Sequence, residues 1–270
     1  MSDPRALLAA YDAQLRAHVP PRLPAGVRVE RDGPLVRMLG LDDRGFVGYS
    51  GLAGLGPVEL DTLIARQVAV FAARGEPFEW KLHGHDPPGL ADRLRAAGFA
   101  PEEAETVVIA PIAALEGPPE PPAGVTLRQV TEWADLERIA GLEDAVWGGD
   151  HRWLAESLAA EQAADPEALR IVVAEAGGEV VCTGWVRFAE GTEFATLWGG
   201  STLPAWRRRG IYRATVAHRA ALARARGCRY LEVDASDASR PILERLGFVA
   251  VTTTTPYVWS PGREPAAAAR

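Results

Sequence analysis

The sequence predicts an α/β fold built twice in tandem, with two similar halves and a short connection between them. Segments with the alternating hydrophobic pattern of strands lie between segments whose apolar residues recur at helical spacing. A helix, an Arg-Gly pair, a strand, a short helix and a Gly-Phe pair follow one another at 59–99 and again at 211–248. The segment 116–122 is rich in proline and glutamate, as is typical of a linker.

The first half is predicted to open with a helix, which is followed by a group of short strands around turns. Glycine, proline and aspartate mark the turns, and an Arg-Gly pair closes the long helix. The expected elements are a helix at 5–17, strands at 27–30, 35–39 and 45–52, a helix at 59–73, a strand at 78–83, a helix at 90–97 and a strand at 106–112.

The second half is predicted to have a helical pair, a hairpin and then the repeated unit. The pair is broken at Gly148-Gly149, and the hairpin turns over Gly177-Gly178. The expected elements are a strand at 125–129, helices at 133–146 and 152–163, strands at 170–175, 180–188 and 194–203, a helix from 211 to Gly227, a strand at 230–235 and a helix at 240–246.

The composition is that of an ordinary soluble protein, with 270 residues of which 47% are hydrophobic. A net charge of −7 excludes nucleic acid and an anionic membrane as predicted partners. The sequence has neither a long apolar run nor the charge order of a signal peptide, so we expect a cytoplasmic protein. Cys182 and Cys228 are expected to be reduced and structural, with a nucleophilic cysteine as the alternative. His83 and His85 are expected to be loop histidines, and no metal site is predicted.

Residues 207–212, Arg-Arg-Arg-Gly-Ile-Tyr, lie where a strand gives way to a helix. The first turn of a helix has free backbone N–H groups at the positive end of its dipole, and these favour a bound phosphate. Three arginines strengthen that preference. Gly210 leaves the backbone open to a ligand because it has no Cβ. The segment therefore predicts an anion-binding turn.

The turn resembles the acyl-CoA-binding motif of the GNAT (GCN5-related) N-acetyltransferases, Gln/Arg-x-x-Gly-x-Gly/Ala, with Tyr212 at the usual place of a small residue. The elements after it follow the family's order up to Gly247-Phe248. The resemblance implies an α/β (α+β) fold of two GNAT-like domains, each a mixed, mostly antiparallel twisted sheet flanked by helices. The expected division is a degenerate domain at 1–115, a linker at 116–123, an acetyltransferase domain at 124–262 and a tail at 263–270.

The first half enters its helix through Gly54-Leu-Gly-Pro-Val58, which has no arginine and places proline where a phosphate-binding amide is needed. We therefore expect this half to bind no CoA and to pack against the active half, with a second active site as the alternative.

The resemblance also assigns candidate site residues in the second half. Cofactor contacts are expected from Thr202, Leu203, Arg207, Arg208, Arg209, Gly210, Ile211, Tyr212, Ser236 and Ser239, and acceptor contacts from Trp147, Asp150, His151, Trp153, Trp198 and Gly199. For Trp147 and Trp153, packing in the core is an equal alternative. Gly199-Gly200 fits a bulge or a close ligand approach, with a plain strand irregularity as the alternative.

The proton chemistry is the least defined part of the predicted site. The tyrosine that family members often carry before the Gly-Phe ending is replaced by Leu243. Asp234 is the first choice of general base, with Glu232 on the same face of its strand, and water-relayed deprotonation is the alternative.

The resemblance implies transfer of an acetyl group from acetyl-CoA to the primary amine of a small acceptor, by direct attack in a ternary complex. No metal is expected to take part, and the protein is expected to be a monomer or a homodimer. The alternative is a catalytically silent acyl-CoA-binding or interaction module. A dinucleotide-binding fold is disfavoured because no Gly-x-Gly-x-x-Gly follows a strand.

Overall fold

The computed structural model describes residues 3–115 and 120–262. The predicted linker at 116–123 lies partly outside these residues, and the predicted tail lies wholly outside them. The helices are α1 (Pro4–Gln14), α2 (Pro57–Arg74), α3 (Leu90–Ala96), α4 (Trp133–Trp147), α5 (Arg152–Ala164), α6 (Ile211–Ala225) and α7 (Arg240–Arg245). The strands are β1 (Arg28–Asp32), β2 (Leu35–Leu39), β3 (Gly45–Tyr49), β4 (Phe78–His83), β5 (Ala100–Pro101), β6 (Glu105–Pro111), β7 (Val125–Val130), β8 (Leu169–Ala176), β9 (Glu179–Phe188), β10 (Phe194–Trp198), β11 (Tyr230–Ala235) and β12 (Val249–Trp259).

The strands form one mixed, mostly antiparallel sheet in the order β1-β2-β3-β4-β12-β6-β11-β10-β9-β8-β7, with β5 paired to β12. Among the described strands, only β3–β4 and β10–β11 pair in parallel. The predicted fold class is therefore confirmed. The sheets of the two halves are joined into a single one, which the sequence pattern did not reveal.

The join is an exchange of terminal strands between the halves. Strand β6 of the first half pairs with β11 of the second half, and β12 of the second half pairs with β4 of the first. The two exchanged strands also pair with each other in the centre of the sheet. Each half is therefore completed by backbone hydrogen bonds from the other.

The two faces of the sheet are covered by different helices. Leu231 and Val233 of β11 share a hydrophobic core with α6, and Tyr230 of the same strand packs with Leu7 and Tyr11 of α1. Because successive side chains of a strand point to opposite faces, Glu232 and Asp234 lie on the α1 face. The predicted candidate bases are therefore on the face opposite α6.

The predicted strand at 194–203 is shorter in the structure. Strand β10 ends at Trp198 because Gly199 has a φ of +58°, which a pleated strand does not accommodate. Only an isolated bridge between Thr202 and Cys182 continues the pairing. The position of helix α6 agrees with the prediction, since it begins at Ile211.

In the first half, a buried polar network lies where the parallel strands separate. The pairing of β3 with β4 stops at Val47 and Trp80. Beyond this point Tyr49 donates a 2.5 Å hydrogen bond to Asp86, which also accepts a 2.6 Å bond from Arg16. The side chains of Asp86 and Arg16 are 4% and 2% exposed. The opening between these two strands is therefore filled by the protein's own side chains.

The N-terminus of α2 is also occupied by a side chain of the protein itself. The carboxylate of Glu59 accepts a 2.6 Å hydrogen bond from the backbone N–H of Gly56, and Pro57 contributes no N–H. An internal carboxylate thus lies at the helix end that corresponds to the arginine-rich turn of the second half.

The histidines of the 83–86 segment belong to this network, so the expectation of solvated loop histidines is wrong for His83. Its Nε2 lies 3.1 Å from the hydroxyl of Tyr11, and its backbone N–H donates to Asp86. Burial lowers the pKa of His83, and the hydrogen bond to Asp86 offsets only part of that effect.

The lowered pKa of His83 predicts a pH dependence of stability. The ordinary pKa of histidine is about 6.5. Below that pH, His83 binds a proton more readily in the unfolded chain than in the folded protein, so the folded state loses stability as the pH falls. We expect the free energy of unfolding, measured with urea at pH 7 and pH 5, to fall more in the wild type than in His83→Gln. The matched variant His18→Gln, which loses a bond to a backbone carbonyl, should behave like the wild type. Equal falls in wild type and His83→Gln would contradict this.

Candidate active site

The predicted anion-binding turn has the backbone of a helix start. Gly210 is the N-cap of α6 with a φ of +83°, and Arg208 also has a positive φ, +63°. A Cβ on Gly210 would meet no atom within 4 Å, so the left-handed conformation is what favours glycine there. Arg207 donates to the carbonyl of Thr202, and Arg209 lies over the ring of Trp206.

A cleft of about 1340 Å³ lies against this turn, between the ends of α6 and α7. Its wall includes nine of the predicted site residues: Trp147, Thr202, Arg207, Arg208, Gly210, Ile211, Tyr212, Ser236 and Ser239. Leu203 and Arg209 are the two predicted cofactor contacts that do not line it. Leu243, at the position of the family's usual tyrosine, is fully buried in the core.

Strands β10 and β11 separate beside this cleft. They pair in parallel from Phe194 and Tyr230 to Thr196 and Glu232, and no further. Strand β11 continues to Ala235 on its other neighbour, β6. The peptide groups that follow Thr196 on β10 are therefore not paired with β11, and the two strands form a V-shaped opening.

The glycine pair at the end of β10 makes room for two aromatic rings of the chain itself. A Cβ on Gly199 would lie 1.9 Å from the ring of Trp185, and a Cβ on Gly200 would lie 2.6 Å from the ring of Tyr212. Tyr212 is thereby turned against the backbone of Gly200. The close approach at this pair is made by protein rings, which differs from the predicted approach of a ligand.

Arg219 supports the same opening from the side of α6. Its guanidinium, 1% exposed, donates to the backbone carbonyls of Trp185 and Trp198 at 3.1 and 3.0 Å. Burial lowers its pKa. An arginine on a helix is ordinarily exposed, so the burial of Arg219 is not expected from the sequence. Gly184 gives it space, since a Cβ there would lie 2.7 Å from the guanidinium.

A buried acid, Glu143, lies beside the cleft, and the sequence pattern did not single it out. Ser201 donates a 2.8 Å hydrogen bond to Glu143 and accepts a 2.9 Å bond from the indole of Trp147. Burial raises the pKa of Glu143, and the bond from Ser201 opposes this rise. A sequence signal existed in the apolar neighbours of Glu143 on α4, which place it on the buried face of that helix.

The loop between α4 and α5 lies apart from the cleft lining. Asp150 pairs with Arg152, and His151 bonds to Asp144. Trp153 is 42% exposed and Trp147 is 65% exposed, so the alternative that they pack in the core is wrong. Of the predicted residues from 147 to 153, only Trp147 touches the cleft.

The candidate bases belong to a charged cluster to which both halves contribute. Lys81 of β4, the only lysine in the sequence, forms an ion pair with Asp234. Its ammonium also lies 6.0 Å from the centre of the Trp198 ring, at the V-shaped opening. Burial would lower the pKa of Lys81, but Asp234 and further neighbouring acids raise it well above its usual range.

Three more acids surround this pair. Burial and the charge of Asp234 raise the pKa of Glu232 well above its ordinary value. The same two causes raise the pKa of Glu105, on the exchanged strand β6, to about 7. Burial also raises the pKa of Glu79 on β4. Neither Glu105 nor Lys81 was a sequence candidate, because both lie in the half that lacks the motif.

Two negative findings concern the parts of the chain that the structure describes. No group of three or more His, Cys, Asp or Glu residues there is arranged to hold a metal ion. No helix there is long and apolar enough to cross a membrane.

The comparisons with known proteins bear on this geometry. The family model for the acetyltransferase (GNAT) family matches residues 128–248, which contain the helical pair, the V-shaped opening and the arginine-rich turn. The chain is therefore similar to the GNAT family over these residues of its second half. A comparison with curated proteins gave no match.

Solved GNAT structures share the fold of the whole chain. A GCN5-related N-acetyltransferase from Kribbella flavida is 21% identical with a TM-score of 0.68, and the alignment covers 97% of each chain. A tandem GNAT protein from the clavulanic acid biosynthesis pathway is 16% identical with a TM-score of 0.64, over 97% of this chain and 95% of that one. The GNAT arrangement of two halves in tandem thus extends to this chain.

Proposed function

We propose that this GNAT protein transfers an acetyl group from acetyl-CoA to the primary amine of a small acceptor, by direct attack in a ternary complex. The observation that carries the proposal is the V-shaped opening between β10 and β11 beside the arginine-rich turn of α6. The arginine-rich turn offers anion contacts for a pyrophosphate, and the V-shaped opening offers free peptide groups for a thioester arm.

The second half is proposed to hold the only CoA site. Arg207, Arg208 and the first N–H groups of α6 would receive the phosphates. In the first half, Glu59 lies at the corresponding helix end and Tyr49 lies in the corresponding opening. Both positions are thus filled by side chains of the chain itself.

The acceptor is proposed to approach from the α1 face, where the acidic cluster lies. Carboxylates beside the exposed ring of Trp198 suit a cationic amine, since ammonium groups bind to carboxylates and to the faces of aromatic rings. The amine must lose a proton before it attacks, and a raised carboxyl pKa is suited to accept one near neutral pH.

A catalytically silent CoA-binding module is the second candidate, favoured by the leucine at the position of the family's usual proton donor. Acetyl-CoA binding does not separate the two. Release of free thiol from acetyl-CoA in the presence of a panel of small amines does, because a silent module gives no release above the uncatalysed rate.

A double variant tests the proposed cofactor site. Arg207→Gln with Arg208→Gln should weaken acetyl-CoA binding about tenfold, since each lost charge removes roughly 0.3–1 kcal/mol at an exposed helix terminus. The matched control is Arg31→Gln, which replaces an exposed arginine on β1, the edge strand of the first half. Calorimetric titration with acetyl-CoA should show control and wild type alike. An unchanged affinity in the double variant would refute the proposed site.

A further inference from the structure

The charged cluster on the α1 face is built from strands that the exchange brings together. Asp234 of β11 lies directly opposite Val107 of β6. Glu105 is two residues before Val107 on the same strand and thus on the same face, so it is a diagonal neighbour of Asp234. It lies toward the end of β11, the direction in which β10 and β11 separate. An acid of the first half is thereby placed beside Asp234, one strand away from the opening of the second half.

The cluster has carboxylate oxygens that are buried without a partner. Oε1 of Glu232 and Oδ1 of Asp234 have no hydrogen-bond partner among the described residues. Glu232 is 5% exposed, and the Asp234 side chain is 10% exposed. A buried acceptor without a donor is costly, and an ammonium group supplies the missing donors.

Lys81 shows that the cluster accepts an alkylammonium. Its ammonium pairs with Asp234 and lies near the Trp198 ring, which borders the opening. This ion pair occupies one oxygen of the Asp234 carboxylate, so an acceptor amine cannot reach that oxygen without displacing the ammonium of Lys81. The proton from the acceptor amine must therefore go to another group of the cluster.

This inference rests on the proposed function. We propose that Glu105, on the strand exchanged from the first half, accepts the proton of the acceptor amine, and that Lys81 is a positioning residue that holds Asp234 in an ion pair beside it. In this step the amine N–H bond breaks and its electron pair stays on nitrogen. The nitrogen then forms the new bond to the acetyl carbon as the carbon–sulfur bond breaks. The electron pair of that bond leaves on sulfur, and the CoA thiolate takes the second proton that the acylated nitrogen gives up.

The first half is then a functional partner and more than a packing domain. It donates a strand to the centre of the sheet and two charged side chains to the site of the second half. Lys81 is the one lysine among 29 Lys and Arg residues, the other 28 being arginines. A guanidinium forms bidentate hydrogen bonds to two oxygens, whereas an ammonium is a compact charge that fits beside one carboxylate and an aromatic ring.

The expected pH dependence follows from the groups that face Glu105. Burial and the like charges of Asp234, Glu79 and Glu103 raise the pKa of Glu105, whereas the charge of Lys81 lowers it. The charge of Glu105 in turn raises the pKa of Glu232. Deprotonated Glu105 is the active form, so kcat should rise with pH through about 7. Loss of the Lys81 charge should raise the pKa of Glu105 and move this limb to higher pH.

The test compares Glu105→Gln, Lys81→Met and the control Glu137→Gln, which removes an exposed carboxylate on α4, outside the charged cluster. With the best amine of the panel, kcat should fall about 100-fold or more in Glu105→Gln, as expected for loss of a general base, and the limb near pH 7 should vanish. In Lys81→Met the limb should move to higher pH. Acetyl-CoA affinity, measured by calorimetry, should be unchanged in all three variants.

The outcomes separate the two proposals. If the wild type transfers acetyl to no amine, the proposed function fails, and the assignment of Glu105 fails with it. If the wild type is active and Glu105→Gln retains its kcat and its pH limb, only the assignment fails. Intact-mass measurement and peptide mapping after incubation with acetyl-CoA should show no acetyl group on Lys81. A modified Lys81 would make it an acceptor and overturn its positioning role.

Discussion

Replacement of Gly199 by alanine is expected to destabilise the protein by about 2–5 kcal/mol and to abolish the proposed acetyl transfer. The new Cβ would lie 1.9 Å from the buried ring of Trp185, and the backbone φ of +58° is one that L side chains rarely adopt. Forcing extra volume into a packed site costs about 1–3 kcal/mol, and a left-handed residue about 1–2 kcal/mol more. The end of β10 must shift, and the V-shaped opening shifts with it.

Gly191→Ala is the matched control for this prediction. Gly191 also has a positive φ, +80°, but a Cβ there would meet no atom within 4 Å. Urea unfolding should therefore show only the conformational cost, about 1–2 kcal/mol. Thiol release by Gly191→Ala should match that of the wild type. Equal losses of stability in the two variants would mean that the contact with Trp185 has no effect.

Replacement of Asp86 by alanine is expected to cost about 3–5 kcal/mol of stability. Asp86 accepts hydrogen bonds from Tyr49, Arg16 and the backbone of His83, all at 2.7 Å or less. Burial would raise the pKa of Asp86, but these bonds and the Arg16 charge hold it well below its usual range. Without it, the guanidinium of Arg16 is left buried and poorly paired, which is the costly way to break a buried ion pair.

Two further variants test whether the buried, poorly paired charge of Arg16 causes this loss of stability. Asp86→Ala combined with Arg16→Met should recover part of the lost stability, because the double variant no longer buries the unpaired charge. Asp92→Ala removes an aspartate whose side chain is 83% exposed and should change the free energy of unfolding by less than about 0.5 kcal/mol. A double variant less stable than Asp86→Ala would contradict the account of the buried charge.

Acetyl-CoA binding should survive in Asp86→Ala at temperatures where the variant remains folded. The polar network lies in the first half, at the opening between β3 and β4, whereas the cleft is lined by residues of α6, α7 and the segment after β10. Calorimetric titration would check this. A lost affinity in the folded variant would show that the two halves are coupled through the shared sheet.

Local patterns in the sequence were sufficient for most of the individual elements. The predicted ranges of β4 and β11 coincide with the structure, and the start of α6 at Ile211 was also correct. These features depend on alternation, helical spacing and backbone preferences, which act over a few residues. The family was recognisable for the same reason, because its motif is a local turn.

Contacts distant in sequence were beyond the reach of such patterns. The exchange of β6 and β12 depends on which strand edges meet, and a strand's own hydrophobic pattern does not name its partner. Because Lys81 and Glu105 enter the site only through that exchange, no spacing rule could have associated them with Asp234. The burial of Arg219 likewise depends on distant contacts, with carbonyls of β9 and β10 and with the space at Gly184.

Sequence patterns were sufficient to predict a tandem α/β chain with one arginine-rich turn at a helix N-terminus. Only the tertiary structure decided that the two halves share a single sheet and that the candidate base Asp234 is already paired with Lys81. The reason is physical. A turn is specified by the residues that form it, whereas the protonation and role of a carboxylate are set by burial and by charges that the fold brings to it from far along the chain.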